Sequence, residues 1–251
     1  MRITVGARPP AADDVPGALE GAVALLGQRP AITGLHAGER REQGFASLAG
    51  WVAKGANLLA LEVGAAPGDR LALGGPPGWP VAAVALSAWW VGMTVVPLGR
   101  AEDAAVVVAH AATASSAAAS GPADRFVFGD ALDGSGSDPD GAEAWVDAVT
   151  PHGDRPPPAV RDGSRVAFVA TDGTGTTQRD LLATVPAGTE GVLGLDRAGD
   201  DDVVAGADGA RRLAALSLRP LVTGAATVVL DVDDADRNAR ATAERVALWY
   251  A

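Results

Sequence analysis

At about 150 residues per domain, 251 residues make one large domain or two small lobes, with a core that needs no covalent staples. The absence of cysteine excludes disulfide scaffolds, thiolate-bound metals and thiol catalysis, and a 48% hydrophobic composition excludes a disordered chain. Twenty basic against 31 acidic residues give a formal charge of −11, which argues against nucleic acid or an anionic membrane as partner; screening over about 8 Å still permits a local phosphate pocket.

No apolar run or cleavage signature follows Arg2, so no signal peptide is expected. Pro16 to Gly27 predicts a short helix with Leu19, Val23 and Leu26 on one side, and Pro30 to Leu35 a strand. From Phe45, apolar residues recur at Leu48, Val52, Ala56, Leu59 and Val63, which is helical spacing. The turn Ala66-Pro67-Gly68-Asp69 feeds a strand at Arg70 to Leu73. The run from Leu71 to Gly99 carries no charge, but Gly and Pro from Gly74 to Pro80 and again at Gly92 and Pro97 leave only Val81 to Val91 as unbroken helix. A span needs about 20 continuous residues, so the run reads as a buried helix followed by a buried strand at Met93 to Val96, in a soluble, cytoplasmic protein.

Glu102 to Ala112 is expected to be helical, ahead of a low-complexity Ala/Ser stretch, with a strand at Arg125 to Phe128, a loop at Asp133 to Gly141 and a helix at Ala142 to Val149. Thr150 to Val160, with three consecutive prolines, reads as a linker. Beyond it, Val166 to Ala170 predicts a strand, Arg211 to Leu221 a helix, Ala226 to Leu230 a strand and Arg237 to Trp249 a closing helix. Strands apolar on both faces alternate with helices, so the fold class is α/β, a layered, mostly parallel sheet with flanking helices. The expected organisation is a first α/β lobe at 1–150, a Pro-rich linker at 151–160 and a second α/β segment at 161–251.

The segment that suggests chemistry follows the apolar strand: Thr171-Asp172-Gly173-Thr174-Gly175-Thr176-Thr177, with Arg179 just beyond. A strand that runs into a Gly/Thr-rich turn places amides and hydroxyls at the carboxyl edge of a sheet, where ligands bind in open α/β folds and successive amides can cradle an anion. The same composition suits a flexible surface loop. No Gly-Lys-Ser/Thr follows and a third glycine is missing, so the segment is neither a P-loop nor a dinucleotide fingerprint. Asp172 would repel phosphate unless it held a metal. Asp133 to Glu143 resembles a calcium loop in composition only, with Asp138 where the loop needs glycine. Asp200-Asp201-Asp202 reads as an exposed charge run, Gly188-Thr189-Glu190 as a helix-to-strand loop, and Trp79, Trp89 and Trp90 as core. His36, His110 and His152 are too scattered to place a Ser–His–Asp grouping.

In series, these segments resemble the N-terminal part of the adenylate-forming superfamily, the acyl-CoA synthetases and related AMP-binding ligases. The resemblance rests on Pro30-Ala31-Ile32, the helix from Phe45, Gly64 to Leu73, Gly78-Trp79 with the helix behind it, Gly92 to Leu98, and Leu218 to Leu230. It covers nearly the whole chain from about residue 16. The family's phosphate loop reads Thr-Ser-Gly-Thr-Thr-Gly-x-Pro-Lys. Here Thr171, Gly173 and Thr174 agree, Asp172 replaces serine, Gly175 and Thr176 are swapped, and Arg179 stands for lysine. If that glycine position requires a positive φ, Thr176 there costs roughly 1–2 kcal/mol.

The resemblance implies ATP or AMP with Mg as cofactor, held by Thr171, Asp172, Gly173, Thr174, Gly175, Thr176, Thr177 and Arg179, with no catalytic residue or metal ligand assigned. The 251 residues do not contain the family's Tyr-Gly-x-Thr-Glu or Tyr-x-Thr-Gly-Asp segments or its C-terminal catalytic lysine, so a short, degenerate member without complete ligase activity is expected. The alternative is an interaction module, a homodimer or split-ligase subunit that uses an exposed sheet edge. A third reading, an active stand-alone acyl-activating enzyme, would show ATP–pyrophosphate exchange.

Overall fold

The computed structural model describes residues 8–36, 39–114, 124–129, 131, 134–135, 142–185, 191–197, 202–231 and 235–250. The helices among them are α1 (Val15–Leu26), α2 (Phe45–Asn57, continued by a π-helical turn at Leu58–Glu62), α3 (Trp79–Trp90), α4 (Ala111–Ala114), α5 (Trp145–Val149), α6 (Gln178–Thr184), α7 (Gly209–Ser217), α8 (Arg219–Thr223) and α9 (Arg237–Ala243). The strands are β1 (Pro30–His36), β2 (Glu39–Gly44), β3 (Arg70–Gly74), β4 (Thr94–Pro97), β5 (Val106–His110), β6 (Asp124–Phe128), β7 (Glu143–Ala144), β8 (Val166–Val169), β9 (Gly175–Thr177), β10 (Val192–Arg197), β11 (Thr227–Asp231) and β12 (Val246–Tyr250).

They form two sheets. One has the order β12-β10-β11-β1-β2, the other β7-β6-β5-β3-β4-β8-β9. Every pairing is parallel except those of β2 with β1 and of β9 with β8. This is the expected α/β layering, mostly parallel with helices alongside. Each sheet takes strands from both sides of residues 151–160, so the sheets do not divide the chain at the Pro-rich segment. That segment is itself pinned: Asn57 Nδ2 donates to the carbonyls of Gly153 (3.0 Å) and Arg155 (2.9 Å), and Trp90 Nε1 to that of Pro157 (2.8 Å).

The main core lies between the sheets and includes residues of α1, α2, α3 and α7. Helix α3 is buried at every position because its sequence is apolar around the whole circumference. Its polar atoms are satisfied within the protein: Ser87 Oγ donates to the Ala83 carbonyl (2.7 Å) and Trp89 Nε1 to that of Ala167 in β8 (2.8 Å). The second donation ties the helix to the strand that leads into the Gly/Thr turn. Smaller residues, among them Ala72, Val96, Val107 and Val127, cover the other face of the larger sheet. The charge-free run 71–99 is therefore β3, a Gly/Pro loop, α3 and β4, and no helix among the described residues is long and apolar enough to cross a membrane.

Three expectations need correction. Residues Val106–His110, expected to be helical, form β5, a fully buried strand between β3 and β6; three consecutive valines favour a surface packed on both faces over a helical one. The closing helix ends at Ala243, because Arg245 adopts a left-handed conformation (φ 58°) and Val246–Tyr250 then run as β12. Thr176 lies in β9, and Arg245 is the one non-glycine with positive φ among the described residues, so the swapped glycine costs Thr176 no strain. The Asp133 to Gly141 loop except residues 134 and 135, the Gly188-Thr189-Glu190 turn, Asp200, Asp201 and the Ala/Ser stretch from residue 115 lie outside the described residues.

Candidate functional site

The Gly/Thr segment is the turn of a β-hairpin. Strand β8 runs parallel to β4, and the chain returns antiparallel as β9, with Gly175 opposite Val169 and Thr176 opposite Phe168. The turn is closed by Gly173 N donating to the Ala170 carbonyl (2.9 Å) and Ala170 N to that of Thr174 (2.9 Å). Gly173 takes φ 90°, the left-handed position that ends a three-residue hairpin loop. The sequence Thr-Asp-Gly supplies the residues this loop requires. Because β8 is parallel to its neighbour, the turn stands at the carboxyl rim of the larger sheet, beside the ends of β3 and β4.

Thr171, Asp172, Gly173, Thr174 and Gly175 are exposed there, while Thr176 and Thr177 are half-buried. The Asp172 carboxylate points back into its own turn. Its Oδ1 accepts from Thr174 N at 2.8 Å. That amide, then the Thr174 hydroxyl, and more weakly Arg100, hold the Asp172 carboxyl below the usual carboxylate range. Thr177 caps α6, its Oγ1 accepting from Asp180 N (3.1 Å). Gln178, fully buried, accepts from Val15 N through Oε1 (2.9 Å).

Arg179 is not brought to the turn. The antiparallel return carries it past the opposite end of β8, where its amide donates to the Gly163 carbonyl (2.9 Å) and its guanidinium stands 3.9 Å from Asp13. At about 3.3 Å per residue, that is on the order of 20 Å from Thr171. The cation beside the turn is Arg100. It follows β4, donates to the Ala170 carbonyl (3.4 Å) and lies 3.4 Å from Asp103, which also pairs with Arg70 (2.7 Å).

Two further groups at the carboxyl rims escape a linear reading. Asp202 is half-buried rather than part of an exposed run: its Oδ1 accepts from Val204 N (3.0 Å), and burial pushes its carboxyl up against the opposing pull of amides including that of Gly75. In the smaller sheet, β1 ends in His36, whose Nδ1 lies 2.6 Å from Asp231 at the end of β11; Arg197, at the end of β10, is 3.7 Å from the same carboxylate. His36 and His110, far apart in sequence, both line a cavity of about 30 Å³ between the two rims.

No family model matches the chain. Its structure is similar to a fatty acyl CoA synthetase of Mycobacterium tuberculosis (TM-score 0.70, 15% identity, 94% of this chain and 49% of that one). It is also similar to the anthranilate CoA ligase AuaEII, solved in complex with anthranoyl-AMP (TM-score 0.66, 14% identity, 87% and 45%). The fold is thus that of the N-terminal domain of the adenylate-forming acyl-CoA synthetases, and the chain spans about half the length of the solved enzymes it matches. At the level of sequence, a Mycobacterium tuberculosis (strain ATCC 25618 / H37Rv) protein described as a TIGR03089 family protein is 32% identical over 184 residues, 67% of this chain and 72% of the relative. The chain belongs to that family.

Proposed function

We propose that these 251 residues hold nucleotide phosphate weakly at the turn 171–174 and do not by themselves complete an acyl-activating reaction. The observation that carries this reading is the placement of the turn: exposed threonines at the carboxyl rim of a parallel sheet, beside Arg100, in a fold whose similar structures include a ligase solved with an acyl adenylate. ATP or AMP fits this rim in part, because two of the turn's amides already donate within the protein. That agrees with weak binding. The Asp172 carboxylate could hold magnesium, which would offset its charge beside a bound phosphate.

Calorimetric titration of Mg-ATP tests the reading. Heat of binding in the high-micromolar to millimolar range is expected, with no ATP–pyrophosphate exchange across a panel of carboxylates; no heat at millimolar ATP defeats it. A second reading, an interaction module, is favoured by β12. This edge strand carries no charge between Val246 and Tyr250, and Trp249 is 42% exposed. Sedimentation of a strict monomer at high protein concentration counts against self-association through that edge.

A further inference from the structure

We propose that the anion position of the turn is filled from within by the Asp172 carboxylate, and that Arg100, not Arg179, is the cation a phosphate would meet once Asp172 leaves. The inference rests on the reading of the turn as a phosphate site and specifies how that site is gated.

The hydrogen bonds carry the first half. Thr174 N is a donor that a phosphate oxygen at this turn can take, whereas Gly173 N already closes the loop on the Ala170 carbonyl. The Asp172 Oδ1 holds Thr174 N at 2.8 Å. A carboxylate so placed competes with a phosphate oxygen for one donor and repels it by charge, so the internal anion has to swing out, or be bridged by a cation, before phosphate is seated. Asp172 is exposed, and its carboxylate is held by the amide and hydroxyl of Thr174 within the same turn, so releasing it breaks turn contacts and leaves the pairing of β8 with β4 in place.

Strand order carries the second half. β4 lies next to β8, so the segment after β4 reaches the residues after β8, and the Arg100 guanidinium stands 3.4 Å from the Ala170 carbonyl and within reach of Gly173. Arg179 sits on the far end of the hairpin beside Asp13. The Arg100 guanidinium, shared between the Ala170 carbonyl and the Asp103 carboxylate at 3.4 Å each, would turn from these long contacts to the phosphate oxygens.

The probe is inorganic triphosphate without magnesium, titrated into the full chain. Asp172→Ser is expected to bind it at least tenfold more tightly than the unsubstituted protein, Arg100→Gln in that background to abolish the gain, and the Thr174 amide resonance to shift and exchange faster in Asp172→Ser. Equal binding by both proteins, a gain that survives Arg100→Gln, a gain lost through Arg179→Gln instead, or an unmoved Thr174 amide would each overturn the proposal. Asp172→Ala serves as a second variant, since serine can rebuild part of the turn. If the unsubstituted protein takes up Mg-ATP and Asp172→Ser gains nothing, the internal anion falls and the nucleotide reading stands. If the unsubstituted protein is silent and the variant gains, the reverse holds.

Discussion

Helix α3 is tied to the hairpin that carries the turn 171–174 by hydrogen bonds from Trp89 to Ala167 in β8 and from Gln178, just after β9, to the Trp89 carbonyl, yet helix and turn are specified in opposite ways. Every α3 residue is buried, so packing on all sides decides its sequence. Every turn residue is exposed, so only local turn chemistry constrains it, and the remaining freedom is open to ligand chemistry. Substitutions in α3 should therefore cost stability. Those in the turn, apart from Gly173 with its left-handed backbone, should cost less and act on binding.

The largest effect is expected at Trp89. Trp89→Ala removes a fully buried indole and leaves the Ala167 carbonyl without its donor, a loss of about 3–5 kcal/mol in chemical denaturation. A loss under about 1 kcal/mol would break the contrast. Where α2 crosses α3, Gly55 has no room for a side chain: an added Cβ would lie 3.1 Å from the Ser87 Cβ and closer still to its hydroxyl. Gly55→Ala should cost about 1–3 kcal/mol through overpacking.

In the turn, Gly173→Ala forces a Cβ into a left-handed conformation, for about 1–2 kcal/mol; the local cost should appear as weakened β8–β9 amide protection. The smallest effect is expected at Asp202. Its carboxyl is raised in the folded protein, so the folded state keeps the proton to higher pH, and ionisation above the ordinary value near 3.9 costs stability. Asp202→Asn should then melt higher than the parent at pH 7, with the advantage vanishing as the pH falls below the ordinary carboxylate range. Thermal melts at pH 3.5 and 7 check the sign.

The same contrast explains what could be read in advance. The buried elements announce themselves: β3, α3, β4, β8 and β11 are apolar runs, the first three bounded by Gly and Pro, and the structure places them within a residue or two of expectation. β2 has no such signal, because Glu39–Gly44 is a polar edge strand recognisable only by its pairing with β1. β12 was hidden in an alanine-rich helical pattern that Arg245 interrupts. The turn was legible because Thr-Asp-Gly directly follows an apolar strand. Its cation was not. Arg179 is eight residues from Thr171 in the chain but an antiparallel return takes it away, whereas Arg100 arrives by way of strand adjacency that no local window contains.

The weaving of the two sheets also dictates an order of events during synthesis. Ile32 of β1 pairs with Thr227 of β11, so β1 waits on the order of ten to forty seconds after its own synthesis for that neighbour. High contact order of this kind slows folding, and apolar strands stand open in the meantime. Neither residues 1–150 nor 161–251 holds a complete sheet, so the two pieces expressed apart should stay unfolded, and mixing them should restore cooperative melting only if both sheets assemble across the break.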